Sequence, residues 1–342
     1  MRAFITGVAG PKLTGEERQF LKGAEPWGLI VFKRNVMDPD SLRRLIDDFR
    51  TVVGWQAPVL IDQEGGRVQR LGPPHWPSYP PGAAYGALYD RDRKTGLAAA
   101  RSGARLIAAD LAALGIDVDC APIADMPVAG ADPIIGDRAY GSAPDKVAAI
   151  AGAIAAGLLE GGVLPVLKHI PGHGRATADS HERLPVVSAA RAALDTTDFA
   201  AFRPLNALPL GMTAHVVFSA IDPVAPATTS VTIVRDVIRD SIGFSGLLMS
   251  DDISMGALSG SLGERTKAAF AAGCDMVLHC NGNMAEMLAV AAATPQLAGD
   301  AASRAKAALA LRQPAAPIDV AASRAEFFNL MVGSWQPAPG SA

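Results

Sequence analysis

Apolar residues fall along the chain in short runs, most of them continuous rather than alternating. The runs cover 3–8, 28–32, 58–61, 116–121, 163–167, 210–214, 246–249 and 276–278. Continuous runs of this length suit strands buried on both faces of a parallel sheet. Polar residues follow each run, and helical patterns lie between them. Thr14-Gly15-Glu16-Glu17 predicts a capping box. Asp38-Pro39 predicts an N-cap with proline at the first helical position. Within 96–114, Leu106, Ile107, Leu111 and Leu114 repeat at helical spacing, and Gly115 closes the helix. Segments 264–272 and 285–293 also read as helices. Eight strand–helix units predict an α/β chain folded as a single-domain (β/α)8 barrel over 1–335. An open doubly wound sheet is the alternative, but no G-x-G-x-x-G follows the first run to support its dinucleotide-binding form.

Composition narrows the picture. The 342 residues carry 31 basic and 34 acidic groups, a formal charge of −3, and only 19% are charged. This is neither a disordered chain nor a nucleic-acid binder, which would need clustered Lys and Arg. Segment 147–167 is nearly all apolar, yet Glu160, Gly161, Gly162 and Pro165 interrupt it. A buried helix, a glycine turn and a strand fit it better than a membrane span. The N-terminal apolar run is too short for a signal-peptide core, so the chain reads as a soluble cytoplasmic protein. Cys120, Cys274 and Cys280 have no metal-ligand spacing and read as buried thiols in a reducing compartment. The Pro-rich stretch 72–82 reads as a long surface loop, and 336–342 as a frayed tail.

In a barrel, reactive groups sit at the C-terminal ends of the strands. Scarce ionisable groups recur there: Asp62 and Glu64, Asp125, Lys168 and His169, His215, Asp251 and Asp252, and the polar Asn281. Only the first run ends without one, at Thr6-Gly7. Asp125 reads first as a helix N-cap. His215 is either structural or part of the pocket, and His75 and His279 read as structural or surface residues.

Two segments carry the chemistry. The first runs from Lys168-His169-Ile170-Pro171-Gly172-His173-Gly174 to Asp179-Ser180-His181. Its histidines lack the spacing of a barrel metal site, and there is no H-E-x-x-H, so no metal is expected. Asp179 and His181, two apart on a glycine-bearing loop, read as a dyad whose carboxylate orients the imidazole and raises its proton affinity for acid–base work. The second is Ser250-Asp251-Asp252-Ile253-Ser254, a buried strand ending in two carboxylates. One could act as a nucleophile and the other as a cap, and spacing does not separate them.

Together with Gly28-Leu29-Ile30-Val31-Phe32-Lys33-Arg34-Asn35, Ile61-Asp62-Gln63-Glu64-Gly65-Gly66-Arg67-Val68-Gln69-Arg70-Leu71 and Ile135-Gly136-Asp137-Arg138-Ala139-Tyr140-Gly141, these segments resemble glycoside hydrolase family 3. The Lys-His-x-Pro-Gly-His-Gly…Asp-Ser-His loop resembles that of its bacterial β-N-acetylhexosaminidase branch. The resemblance covers nearly the whole chain. It implies Asp251 as nucleophile and His181, assisted by Asp179, as general acid/base. It implies that Asp62, Arg70, Arg138, Lys168 and His169 bind the hydroxyls of a terminal sugar. Ile170 stands where the family commonly has Phe, which alters packing under the loop. Glu64 reads as structural, among the turns at Gly65-Gly66.

The implied activity is retaining removal of terminal β-N-acetylglucosamine from small peptidoglycan fragments, such as N-acetylglucosaminyl-1,6-anhydro-N-acetylmuramic acid with or without its stem peptide, in cell-wall recycling. Phosphorolysis or transglycosylation at the same site is the alternative, and a non-catalytic sugar-binding barrel a further one. The expected partner is a small glycan, with no cofactor, metal, nucleic acid or membrane, acting on a monomer.

Overall fold

The structure is a computed structural model that describes residues 1–336. The predicted tail therefore lies, apart from Gln336, outside the described residues. The barrel strands are β1 (Arg2–Thr6), β2 (Pro26–Val31), β3 (Val59–Ile61), β4 (Val118–Asp119), β5 (Leu164–Ile170), β6 (Leu210–Thr213), β7 (Leu247–Asp252) and β8 (Met276–His279). Each pairs in parallel with its neighbours in chain order, and β8 closes on β1 with His279 opposite Thr6. This is the expected (β/α)8 barrel; the open sheet is excluded.

The longer helices are α1 (Gly15–Ala24), α2 (Pro39–Val53), α3 (Gly82–Arg91), α4 (Arg93–Ala112), α5 (Pro144–Glu160), α6 (Leu262–Ala272), α7 (Met284–Ala293), α8 (Gly299–Ala310) and α9 (Val320–Met331). Shorter turns such as Asp198–Phe202 and the π-helix Ile233–Ser241 fill the remaining connections. The Thr14 box forms as predicted: Thr14 Oγ1 accepts the Glu17 amide at 3.1 Å, and Glu17 accepts the Thr14 amide at 2.8 Å. α4 starts earlier than its apolar spacing indicates, because Asp92 caps it through the Thr95 amide at 2.8 Å. No helix among the described residues is long and apolar enough to cross a membrane.

Strand alternation sorts the side chains into two packed layers. Ile5, Ile30, Leu60, Val118, Val166, Met212, Met249 and Leu278 fill the barrel interior, with Ala305 and Ala308 of α8 packed against the same cluster. Phe4, Leu29, Val31, Val59, Ile61 and Leu248 face the helices. Three expectations need correction. β4 has only two ladder residues where six were predicted, whereas β5 and β7 run on to Ile170 and Asp252. The proline-rich stretch is not simply a surface loop, since Trp76 and Tyr79 are buried and the Tyr79 hydroxyl donates to Asp110 of α4 at 2.5 Å. Large rings gain too much by burial to stay in water when a helix face is within reach. Cys120 and Cys274 are buried as expected, but Cys280 is half-exposed.

Candidate active site

On five of the eight strands, the residue two steps beyond an interior apolar residue faces the barrel mouth. Leu60 leads to Asp62, Val166 to Lys168, Met249 to Asp251, Ile30 to Phe32 and Leu278 to Cys280. All five line one cavity of about 390 Å³ at that end, with Ile30, Met212 and Leu278 beneath them. A register shift between Leu167 and Ile170 brings His169 into the same cavity.

Ion pairs organise one wall. Lys168, 2% exposed, places Nζ 2.8 Å from Asp62 and 2.6 Å from Glu64. Arg70 donates to the other Asp62 oxygen at 3.0 Å, and its guanidinium lies 5.2 Å from the Phe32 ring centre. Arg138 donates twice to Glu64, at 3.0 and 2.8 Å. Burial pushes both carboxyls up, but Lys168 and Arg70 outweigh it at Asp62 and hold that group well below the usual carboxylate range. Arg138 and Lys168 do the same for Glu64, bringing it to about 2. Glu64 sits on a hairpin that turns at Gly65 and Gly66, with φ of 98° and 56° in the left-handed region that favours glycine. Its place in that turn is as expected; its bond to Arg138 is what the sequence did not disclose.

The opposite wall carries Asp251. One of its oxygens accepts the Asp252 amide at 2.7 Å, and the side chain lines the cavity. Burial raises the carboxyl, but His215, His169, the Asp252 amide and Lys168 together hold it below the ordinary range. Asp252 bonds to the Ser254 amide at 3.0 Å and the Ser254 hydroxyl at 2.7 Å, so it shapes the following turn. Both carboxylates line the cavity, but Asp252 accepts from Ser254 and from the Cys280 amide, whereas Asp251 accepts the Asp252 amide. His215 is fully buried behind them, with Nδ1 2.7 Å from the Thr228 hydroxyl and Nε2 3.0 Å from the Asp252 carbonyl oxygen. It supports the site and does not line it.

Asp179 and His181 meet as the loop spacing predicts. Asp179 accepts the His181 amide at 2.9 Å, and the same oxygen lies 2.7 Å from His181 Nδ1. Burial raises the Asp179 carboxyl, but these two bonds and the imidazole's charge hold it low. His181 is largely exposed and reaches the cavity that Asp251 lines.

The N-cap reading of Asp125 is corrected. No helix starts there; the carboxylate is fully buried, accepts the His173 amide at 2.6 Å, and lies 2.6 Å from His169 Nδ1. Burial raises it, but His169 and His173 hold it below the ordinary range. Taking Nδ1–H, it leaves Nε2 of His169 for the cavity. Asn281 is also corrected: it bonds to Glu286 and to the Asn283 amide at the start of α7 and does not line the cavity. His75 is exposed beside Trp76, and His279 is buried 3.1 Å from Glu286. Of the site residues that the family resemblance implies, all but Asp179 line the cavity, and Asp179 contacts His181, which does. Sequence reasoning missed His173, Ser180, Phe32, Met212 and Met255 as wall residues. The strand parity described above would have found Phe32. Among the described residues, no three His, Cys, Asp or Glu side chains are gathered as metal ligands would be.

The chain is similar to known proteins over most of its length. The model of the glycosyl hydrolase family 3 N-terminal domain matches residues 5–308. A β-hexosaminidase of Alkalilimnicola ehrlichii is 41% identical over 281 residues, covering 81% of this chain and 80% of the relative. A β-hexosaminidase of Aromatoleum aromaticum is 37% identical over 278 residues, covering 80% and 78%. Among solved structures, NagZ from Neisseria gonorrhoeae in complex with N-trifluoroacetyl-D-glucosamine superposes with a TM-score of 0.85 at 30% identity, covering 96% of this chain and 98% of that one.

Proposed function

The chain belongs to glycosyl hydrolase family 3 and is a β-N-acetylhexosaminidase of that family, and from that premise we propose a retaining exo-enzyme that removes terminal N-acetylglucosamine through a glycosyl-Asp251 intermediate. The observation that carries the mechanism is that Asp251 and the Asp179-oriented His181 line one blind cavity. A floor closed by the barrel interior admits the end of a glycan rather than its middle.

In the first step an Asp251 oxygen forms a bond to the anomeric carbon. The glycosidic C–O bond breaks as His181 Nε2 gives its proton to the departing oxygen. In the second, water attacks the same carbon, its proton passes to His181 Nε2, and Asp251 leaves. Two inversions give retention. Retaining glycosidases commonly use two carboxyl groups; here an imidazole takes the place of one. Asp251 is suited to attack because the groups around it keep it ionised. Asp179, accepting from Nδ1, leaves the reactive Nε2 free. Asp62, Arg70, Arg138, Lys168 and His169 hold the sugar hydroxyls in this reading, with no cofactor or metal. The substrate we assign is a cytoplasmic peptidoglycan fragment bearing terminal N-acetylglucosamine, released during cell-wall recycling. It rests on the family resemblance, and the buried free thiols Cys120 and Cys274 fit a reducing compartment.

The test is hydrolysis of an aryl β-N-acetylglucosaminide by wild type, Asp251→Ala and His181→Ala, with the matching glucoside as control and with inorganic phosphate present or absent. Activity confined to the N-acetyl substrate, abolished in Asp251→Ala and strongly reduced in His181→Ala, supports the reading. Activity surviving Asp251→Ala overturns it. Sugar phosphate as the main product would replace hydrolysis with phosphorolysis.

A further inference from the structure

The dyad has a problem of support. Asp179 and His181 are two residues apart in a loop without regular structure, and the His181 side chain is largely exposed. Their mutual contact orients the imidazole but does not anchor the pair over the cavity. Ser180, between them, is 3% exposed, and its hydroxyl lies 3.0 Å from Nε2 of His173, itself 3% exposed. The His173 amide donates to Asp125 at 2.6 Å, and Asp125 also holds His169. A second set of bonds comes from the turn after β7. The Ala257 amide donates to the Ser180 carbonyl, and the Gly256 amide to the His181 carbonyl, both at 3.1 Å. A Cβ at Gly256 would lie 2.8 Å from that His181 oxygen and 2.7 Å from the carbonyl oxygen of Glu182, so the approach depends on glycine.

We propose that His173 and Ser180 are positioning residues for the general acid/base, joining the dyad to the Asp125–His169 wall while Gly256 joins it to the strand that carries Asp251. The proposal rests on the reading of His181 as general acid/base. His173 Nδ1 is buried without a partner. A buried polar atom left unsatisfied is destabilising. An apolar ring would fill the space without that loss, so the imidazole is kept for its Nε2 bond. Burial, with His169, lowers the imidazole to about 4, so it stays neutral at pH 7.

The experiment compares aryl β-N-acetylglucosaminides of graded leaving-group acidity. A dinitrophenyl group departs with little need of a proton, whereas a phenyl group needs one. Ser180→Ala, His173→Phe and Gly256→Ala are measured beside His181→Ala. The expected result is a fall in kcat/KM of about 10- to 100-fold on the phenyl glycoside in each positioning variant, with less than about 3-fold on the dinitrophenyl glycoside. Inhibition by N-acetylglucosamine should change less than the rate on the phenyl glycoside. Ser180→Ala removes a single oxygen and serves if His173→Phe fails to fold. Equal losses on both substrates, or none on either, while His181→Ala shows the leaving-group dependence, overturn the positioning role. Absence of that dependence in His181→Ala itself overturns the underlying assignment instead.

Discussion

Glu64 and Arg138 are joined side to side, Nε to one carboxylate oxygen at 3.0 Å and a terminal nitrogen to the other at 2.8 Å, with both side chains less than 10% exposed. Seventy-four residues separate them in the chain. Lys168, 2.6 Å from the same carboxylate, makes Glu64 the shared counter-ion of two cations on the proposed sugar-binding wall. Glu64→Gln should therefore act through its neighbours. Breaking a buried pair by removing one charge costs about 3–5 kcal/mol. The expected outcome is a loss of that order in urea unfolding, together with a higher KM and a lower kcat/KM as Arg138 and Lys168 move. Unchanged stability would mean the pair is not closed in solution.

His215 offers a test of what keeps Asp251 ionised. It is the leading favourable influence on that carboxyl, against the opposing effect of burial. Nε2 donates to the Asp252 carbonyl oxygen, and in the protonated ring Nδ1 donates to the Thr228 hydroxyl, whose own hydrogen goes to the Ala214 carbonyl, so the ring's positive charge favours the Asp251 carboxylate. Replacing it with an apolar ring lets burial dominate, and the Asp251 carboxyl rises. The nucleophile proposed here must be ionised, so the acid limb of kcat/KM against pH should move to higher pH in His215→Phe, while the basic limb stays in place. An unmoved acid limb would show that another group governs it.

Much of this site was legible because charge is scarce in the chain and strands buried on both faces leave few places for it. Asp62, Lys168 and Asp251 stand out at the ends of apolar runs for that reason. Glu64 and Asp125 were not legible in their roles. Their partners come from distant segments, and Asp125 is held by backbone amides, which sequence does not mark. An Asp after a short strand resembles an N-cap until the absence of a helix is seen. His173 and Ser180 stood in the quoted loop, but a bond between residues seven apart depends on a fold that no periodicity announces. The early end of β4 was hidden too, since its apolar run continues past the ladder.

Cys280 lies in the cavity wall, half-exposed, yet its thiol is poorly suited to react. Burial pushes it well above its usual value, and Asp252, Asp62 and Asp251 add to the shift. The thiolate is the reactive form. Alkylation of the native protein by iodoacetamide at pH 7 should thus be much slower than for an ordinary exposed cysteine, and N-acetylglucosamine should slow it further. Peptide mass analysis should place what labelling occurs at Cys280, with Cys120 and Cys274 protected until unfolding. Rapid labelling at pH 7, unaffected by the sugar, would contradict the placement.

Asp119 makes the sharpest prediction about stability. It points outward from β4 into the layer between barrel and helices, beside Tyr85, Ile107 and Ile154. One oxygen accepts the Gln63 amide at 2.9 Å, and the other is buried without a partner. Burial raises its carboxyl to about 8. In the unfolded chain an aspartate titrates near about 3.9. Between these values the native state keeps a proton that the unfolded state has lost, so its share of stability falls as pH rises through that window and then levels off. The limiting slope is about 1.4 kcal/mol per pH unit. Asp62 and Glu64 act in a separate window: their carboxyls are depressed, and their contribution is lost only as pH falls below the ordinary carboxylate range. Asp119→Asn removes the Asp119 titration while keeping its shape. The stability of the variant relative to wild type should rise steadily between pH 4 and pH 8 in urea unfolding, whatever constant offset the new amide introduces. Parallel stability curves across that range would show that Asp119 is ionised in the native protein, and that water or a shifted neighbour satisfies its second oxygen.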